Sequence, residues 1–110
     1  MSEYSKSIDI YGKGVNDFEV SPFESIEMLH RRSRLEHVIH ELSKEDRIKL
    51  LSNDLILIKN AQRMSEHIGK VYNFSLTDEP LNEWWWHLEK VANGKIAFNL
   101  NAEIESDMVI

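Results

Sequence analysis

Two short strings, Ser21-Pro22-Phe23-Glu24 and Ser43-Lys44-Glu45-Asp46, do most to restrict what this chain can fold into. Each sets a serine three residues ahead of a carboxylate. At a helix start the serine hydroxyl accepts the N–H three residues on, and the carboxylate reaches back to the serine N–H. Pro22 suits the first helical position, where a missing N–H leaves no hydrogen bond unmade. The first start predicts a helix over about 22–42. The second follows at once, so a sharp corner at Ser43 is expected, with one continuous bent helix as the alternative.

The first helix carries Met28, Leu35, Val38, Ile39 and Leu42 on one stripe. The second is expected over 44–72. At 1.5 Å per residue it would span about 43 Å, so a bend at Ser52-Asn53-Asp54 is expected. Leu50, Leu51, Leu55, Leu57, Ile58, Ala61, Met64, Ile68, Val71 and Tyr72 spread over about 200° of its wheel. Such a helix must be covered on two sides and is the centre of the core. Thr77 or Asp78 caps a third helix over 80–93, opened by Pro80 and stopped by Gly94. Residues 1–21, with two glycines and scattered apolar residues, read as an extended or mobile arm. Residues 95–110 read as an extended acidic tail, because Ile96, Phe98, Leu100, Ala102 and Ile104 alternate. That tail needs a partner: the Ser7–Ile10 stretch in a minor β ribbon, another chain, or the helix surfaces. The expected fold is all-α, a three-helix antiparallel bundle spanning 22–94 with extended arms at both ends.

Composition narrows the function classes. The chain has no cysteine, which excludes disulfides and thiolate metal sites and suits a reducing compartment. The polar start and the longest apolar run, Leu55–Ile58, give neither a signal peptide nor a membrane span, so a cytoplasmic location is expected. The net charge is −6: residues 1–21 contribute −2, 22–72 contribute +1 and 73–110 contribute −5. Acidic flanks repel nucleic acid and anionic membrane and favour protein partners.

Trp84, Trp85 and Trp86 stand in a row. At 100° per residue they cover about 200° of a helix. Leu81, Leu88, Val91 and Ala92 cluster between Trp84 and Trp85, which places those two in the core. Trp86 falls on the polar side with Asn82, Glu83, Glu89 and Lys90. Its cover must come from the tail, through Phe98 and Leu100, or from another chain. Trp86, Glu83, Lys90, Phe98 and Leu100 are therefore the candidate partner-binding set.

Three further groups carry possible chemistry. Lys59, Arg63 and Lys70, near Asn60 and His67, form a basic strip of the kind that holds phosphates. His37, His40 and Glu41 have the three- and four-residue spacings of a partial metal site. The string Arg32-Ser33-Arg34-Leu35-Glu36-His37 resembles the Arg-x4-His motif of the HEPN ribonuclease superfamily over those six residues. The resemblance implies a ribonuclease site at Arg32 and His37, with Ser33 at a position that family usually fills with another polar residue. In an unbroken helix these two point about 140° apart, so a shared site needs a distortion or a dimer.

Asp54 sits in the middle of the wide apolar arc. A buried carboxylate needs a partner or a proton. Arg32 or Arg31, at the edge of the first helix's stripe, is the expected partner; a cap after a break at Ser52-Asn53 is the alternative. The expected function is non-enzymatic: a small adaptor, inhibitor or regulatory subunit that binds protein through its third helix and acidic tail, with a homodimer as one form. No cofactor is expected. The alternatives are a nucleic-acid-associated regulator using the basic strip, and a His-dependent metal or ribonuclease-like site on the first helix.

Overall fold

The computed structural model describes residues 4–96, and Phe98 and Leu100 lie outside that range. The described chain is all-α. Five α-helices run in order: α1 (Ser5–Gly14), α2 (Pro22–His37), α3 (Lys44–Lys59), α4 (Ala61–Ile68) and α5 (Leu88–Ala92). Short 3-10 turns stand at Ile39–Glu41, Phe74–Leu76 and Trp84–His87. No strand occurs among the described residues, so Ser7–Ile10 is not half of a β ribbon. No helix among them is long and apolar enough to cross a membrane.

Both strong start signals operate as local chemistry dictates. The Ser21 hydroxyl accepts the Glu24 N–H, and the Glu24 carboxylate accepts the Ser21 N–H at 3.0 Å. The Ser43 hydroxyl accepts the Asp46 N–H at 3.1 Å. The chain between them turns a corner, because α2 ends at His37 and a 3-10 turn carries it to Ser43. The stop is equally local. Gly94 takes φ +74°, and Gly94 and Lys95 return their N–H groups to Val91 and Lys90. These are the paired bonds of a Schellman end.

The N-terminal arm is the largest correction. Residues 5–14 are helical rather than extended, and Ile8, Tyr11 and Val15 are fully buried. The spacing of Ile8, Tyr11 and Val15 is that of one helical face. The two glycines that suggest a loop serve close packing instead. A Cβ on Gly12 would lie 2.7 Å from the Asn53 amide, and one on Gly14 2.7 Å from Met28 Cγ. α1 thus lies against both α2 and α3.

The second expected helix is two helices, and the break is at Asn60 rather than at 52–54. The Asn60 amide donates to the Val15 carbonyl at 3.2 Å and to Asn16 at 3.0 Å, which anchors the end of α1 to the corner. Ser52-Asn53-Asp54 stays helical because its polar groups are used sideways. The Asn53 amide donates to the Ile8 carbonyl at 3.1 Å, and Asp54 is paired across the interface. The core joins Leu29 and Leu35 of α2, Leu50 and Leu57 of α3, and Met64 and Ile68 of α4 to Ile8 and Tyr11.

The third expected helix is shorter than its 80–93 range. Pro80–Glu83 form a turn, Trp84–His87 a 3-10 segment, and only Leu88–Ala92 are α-helical. The His87 ring nitrogen Nε2 lies 2.7 Å from the Glu79 carbonyl, so it carries the proton and donates. That bond folds the ring back under the turn.

Candidate functional site

Two buried clusters organise the polar interior, and both centre on α2. In the first, Arg32 and Asp54 face each other where α2 meets α3. Arg32 Nε and Nη2 donate to the two Asp54 oxygens at 2.9 and 3.0 Å. The Tyr11 hydroxyl donates to the same carboxylate at 2.6 Å, and Arg32 Nη1 reaches Glu36 at 2.9 Å. The guanidinium also lies 4.3 Å over the Trp85 ring, a cation–π contact that dispenses with water. Arg32 is 5% exposed and Asp54 6%. The pairing expected for Asp54 is therefore present, through Arg32 and not Arg31, whose guanidinium donates to Ser7.

Burial dominates the protonation energetics here. It pushes Asp54 above the usual carboxylate range, and the Arg32 guanidinium and Tyr11 hydroxyl pull it back part of the way. For Arg32 burial acts against the charge, but Asp54 and Glu36 outweigh it and hold the guanidinium cationic. Burial, and then the Asp54 charge, raise the Tyr11 phenol well above its ordinary value. The cluster is a closed donor–acceptor circuit. A second hydroxyl bond, Ser5 to Asp46 at 3.0 Å, repeats the pattern one end along α1.

The second cluster surrounds the tryptophans and reverses the expected assignment. Trp85 and Trp86 are buried, at 1% and 4% exposure, and Trp84 is the partly exposed one. The apolar residues that set the core side of the helical wheel do not all lie in the core: Leu81 is 59% exposed and Ala92 is exposed, so that reference direction misplaces the tryptophans. Trp86 packs edge-on against His30 at 4.9 Å between ring centres and meets Tyr72 at 5.7 Å. Both indole N–H groups donate to one oxygen, Ser33 Oγ, at 2.9 Å from Trp85 and 2.8 Å from Trp86. Ser33 donates in turn toward Glu83 at 3.5 Å. The cover of Trp86 comes from α2 and from Tyr72, which leaves it 4% exposed. Glu83 and Lys90 are half-buried. Ser33 lies more than fifty residues before the tryptophans in sequence, so no local spacing points to this role.

The remaining candidates do not assemble into one site. Lys59 ends α3, Arg63 stands on α4 and Lys70 follows α4, so the break at Asn60 divides the basic strip. Arg63 is stacked 4.0 Å over the Phe18 ring. His37, His40 and Glu41 are exposed around the end of α2. No group of three or more His, Asp or Glu side chains placed to hold a metal occurs among the described residues. The Arg-x4-His pair is divided by burial: His37 is exposed, and Arg32 is held in the ionic cluster. A cleft of about 230 Å³ between α1 and α2 is lined by Ile10, Lys13, Met28 and Arg31. It is smaller than the ~300–1,000 Å³ common for ligand sites.

What the surface does present is an apolar face on α3. Ile48, Leu55 and Ile56 are 56%, 38% and 40% exposed. On the helix they fall within an arc of about 100°. Lys44, Lys49 and Lys59 are interleaved with them, against one acid, Glu45. None of these lysines is in an ion pair among the described residues. Searches against protein-family models, curated proteins and solved structures found no match to this chain.

Proposed function

We propose that this protein is a non-enzymatic protein-binding module whose docking surface is the outer face of α3. One observation carries the reading: three large aliphatic side chains stand in solvent on a single helical arc, spaced among lysines. Scattered surface aliphatics are ordinary, but an aligned set at helical spacing is the form taken by helix-face recognition. The inner face of the same helix is polar where it meets α1 and α2, with Asp46, Asn53 and Asp54 all bonded. α3 thus keeps Asp46 and Asp54 inside beside Leu50 and Leu57 while Ile48, Leu55 and Ile56 stay at the surface, and burying those carboxylates costs desolvation. The reactive-looking groups support a structural role, because Arg32, Asp54 and Tyr11 are enclosed and bonded to one another.

This reading moves the partner surface from the third helix to α3. The test is affinity capture from the native host with wild type and with an Ile48→Asp, Leu55→Asp variant. Ile48 is 56% and Leu55 38% exposed, so the melting temperature and circular dichroism of the variant are checked first and capture is compared at a temperature where both proteins are folded. A discrete protein held by wild type and lost by the variant is the expected result. Equal capture by both refutes the assignment of the surface. Capture of RNA or DNA that falls with the logarithm of salt would instead favour the nucleic-acid reading.

A further inference from the structure

We infer that the C-terminal segment 97–110 of the same chain docks on the outer face of α3 and competes there with outside partners. The inference rests on the proposed role of that face and names its resident occupant. Three observations select the segment. The first is charge. The face carries Lys44, Lys49 and Lys59 against Glu45, while the segment carries Glu103, Glu105 and Asp107 with no lysine or arginine. The second is the apolar pattern. Phe98, Leu100, Ala102 and Ile104 alternate with polar residues, so one side of the segment can meet Ile48, Leu55 and Ile56, while Glu103, Glu105 and Asp107 fall on the other side and act on the lysines through the charge of the segment as a whole. The third is reach. The described chain ends at Ile96, just after α5, and α5 packs against α3. Fourteen residues extend to at most about 46 Å, and α3 is about 24 Å long.

A second copy of α3 is a poor occupant by the same reasoning. Face-to-face pairing in either direction sets three lysines against three, with one glutamate from each chain to offset them. An acidic alternating segment removes that repulsion and covers the aliphatic side chains.

The chain has no cysteine, so Asn101→Cys takes a single nitroxide label in the full-length protein. Paramagnetic broadening is then read amide by amide. The expected result is loss of the Ile48, Ser52 and Leu55 amide signals, with Glu27 and Arg34 on the outer side of α2 retained. Adding Lys44→Glu and Lys59→Glu, both at exposed positions, restores the lost signals. So does replacing Glu103, Glu105 and Asp107 by lysine. In a mixture of nitroxide-bearing chains without ¹⁵N and unlabelled ¹⁵N chains, the signals stay. Three outcomes overturn the inference: broadening centred on another surface such as Leu76 and Leu81, no localised broadening, or broadening in the mixed sample. The two proposals fail separately. Partner capture that depends on Leu55 without tail broadening removes this inference alone. Tail broadening with capture indifferent to Leu55 removes the assigned partner surface alone.

Discussion

Replacing Asp54 by alanine tests the central claim about the interior. The substitution removes three hydrogen bonds at once: two from Arg32, at 2.9 and 3.0 Å, and one from Tyr11 at 2.6 Å. The guanidinium stays behind at 5% exposure. Its remaining supports are Glu36, whose side chain is 44% exposed, and the Trp85 ring at 4.3 Å. Neither replaces a bidentate carboxylate. Breaking a buried pair in this way costs about 3–5 kcal/mol, because the surviving charge is stranded. A domain of this size has about 5–15 kcal/mol in total. The variant should therefore fold but melt about 10–30 °C lower. Urea unfolding, followed by tryptophan emission and by circular dichroism, gives the free energy directly. The companion variant, Arg32→Met with Asp54→Leu, leaves no charge behind and should lose far less than Asp54→Ala alone. A cost below about 1 kcal/mol for Asp54→Ala, the value of an exposed pair, would falsify the picture of an enclosed ionic cluster.

Other consequences can be measured in the same way. Ser33→Ala leaves two buried indole N–H donors without their acceptor and should cost about 1–3 kcal/mol, with a shift in tryptophan emission; a change within about 0.5 kcal/mol would show that Ser33 does not hold the pair. Burial raises the folded Tyr11 phenol above its unfolded value of about 10, so its contribution to stability is whole below that pH and is lost as pH rises through the folded value. Urea midpoints should fall above about pH 10 in wild type and fall less steeply in Tyr11→Phe, and equal slopes in the two proteins contradict the assignment. Gly14→Ala gains about 1 kcal/mol of helix propensity, yet its Cβ would meet Met28 Cγ at 2.7 Å, so a net loss of about 1–2 kcal/mol is expected. Met28→Ala should relieve that loss in a double-mutant cycle, and simple additivity of the two substitutions would disprove the clash.

Several features were legible because they are local or anomalous. The starts at Ser21 and Ser43 and the stop at Gly94 depend on side chains and backbone groups within a few residues of one another. Asp54 was legible for the opposite reason. A carboxylate on an apolar arc has few physical solutions, and Arg32 stood at the matching edge of the preceding helix. The break at Asn60 was not legible, because its amide is committed to Val15 and Asn16, 45 and 44 residues away in sequence. Ser52-Asn53-Asp54 looked the better breaker until α1 supplied partners for Asn53 and Asp54.

The sequence by itself determined the helical class, where α2 and α3 begin, and that Asp54 needs a cation. Tertiary structure decided the rest. α1 is ten residues long and contains two glycines, a segment with little helical stability alone. It becomes a helix because those glycines let it approach Asn53 and Met28. The tryptophans were decided in the same way. Leu81 and Ala92, which mark the core side on a helical wheel, are exposed, and Trp86, which falls on the polar side, is buried. The two buried indoles meet at Ser33, a single hydroxyl more than fifty residues earlier that accepts from both.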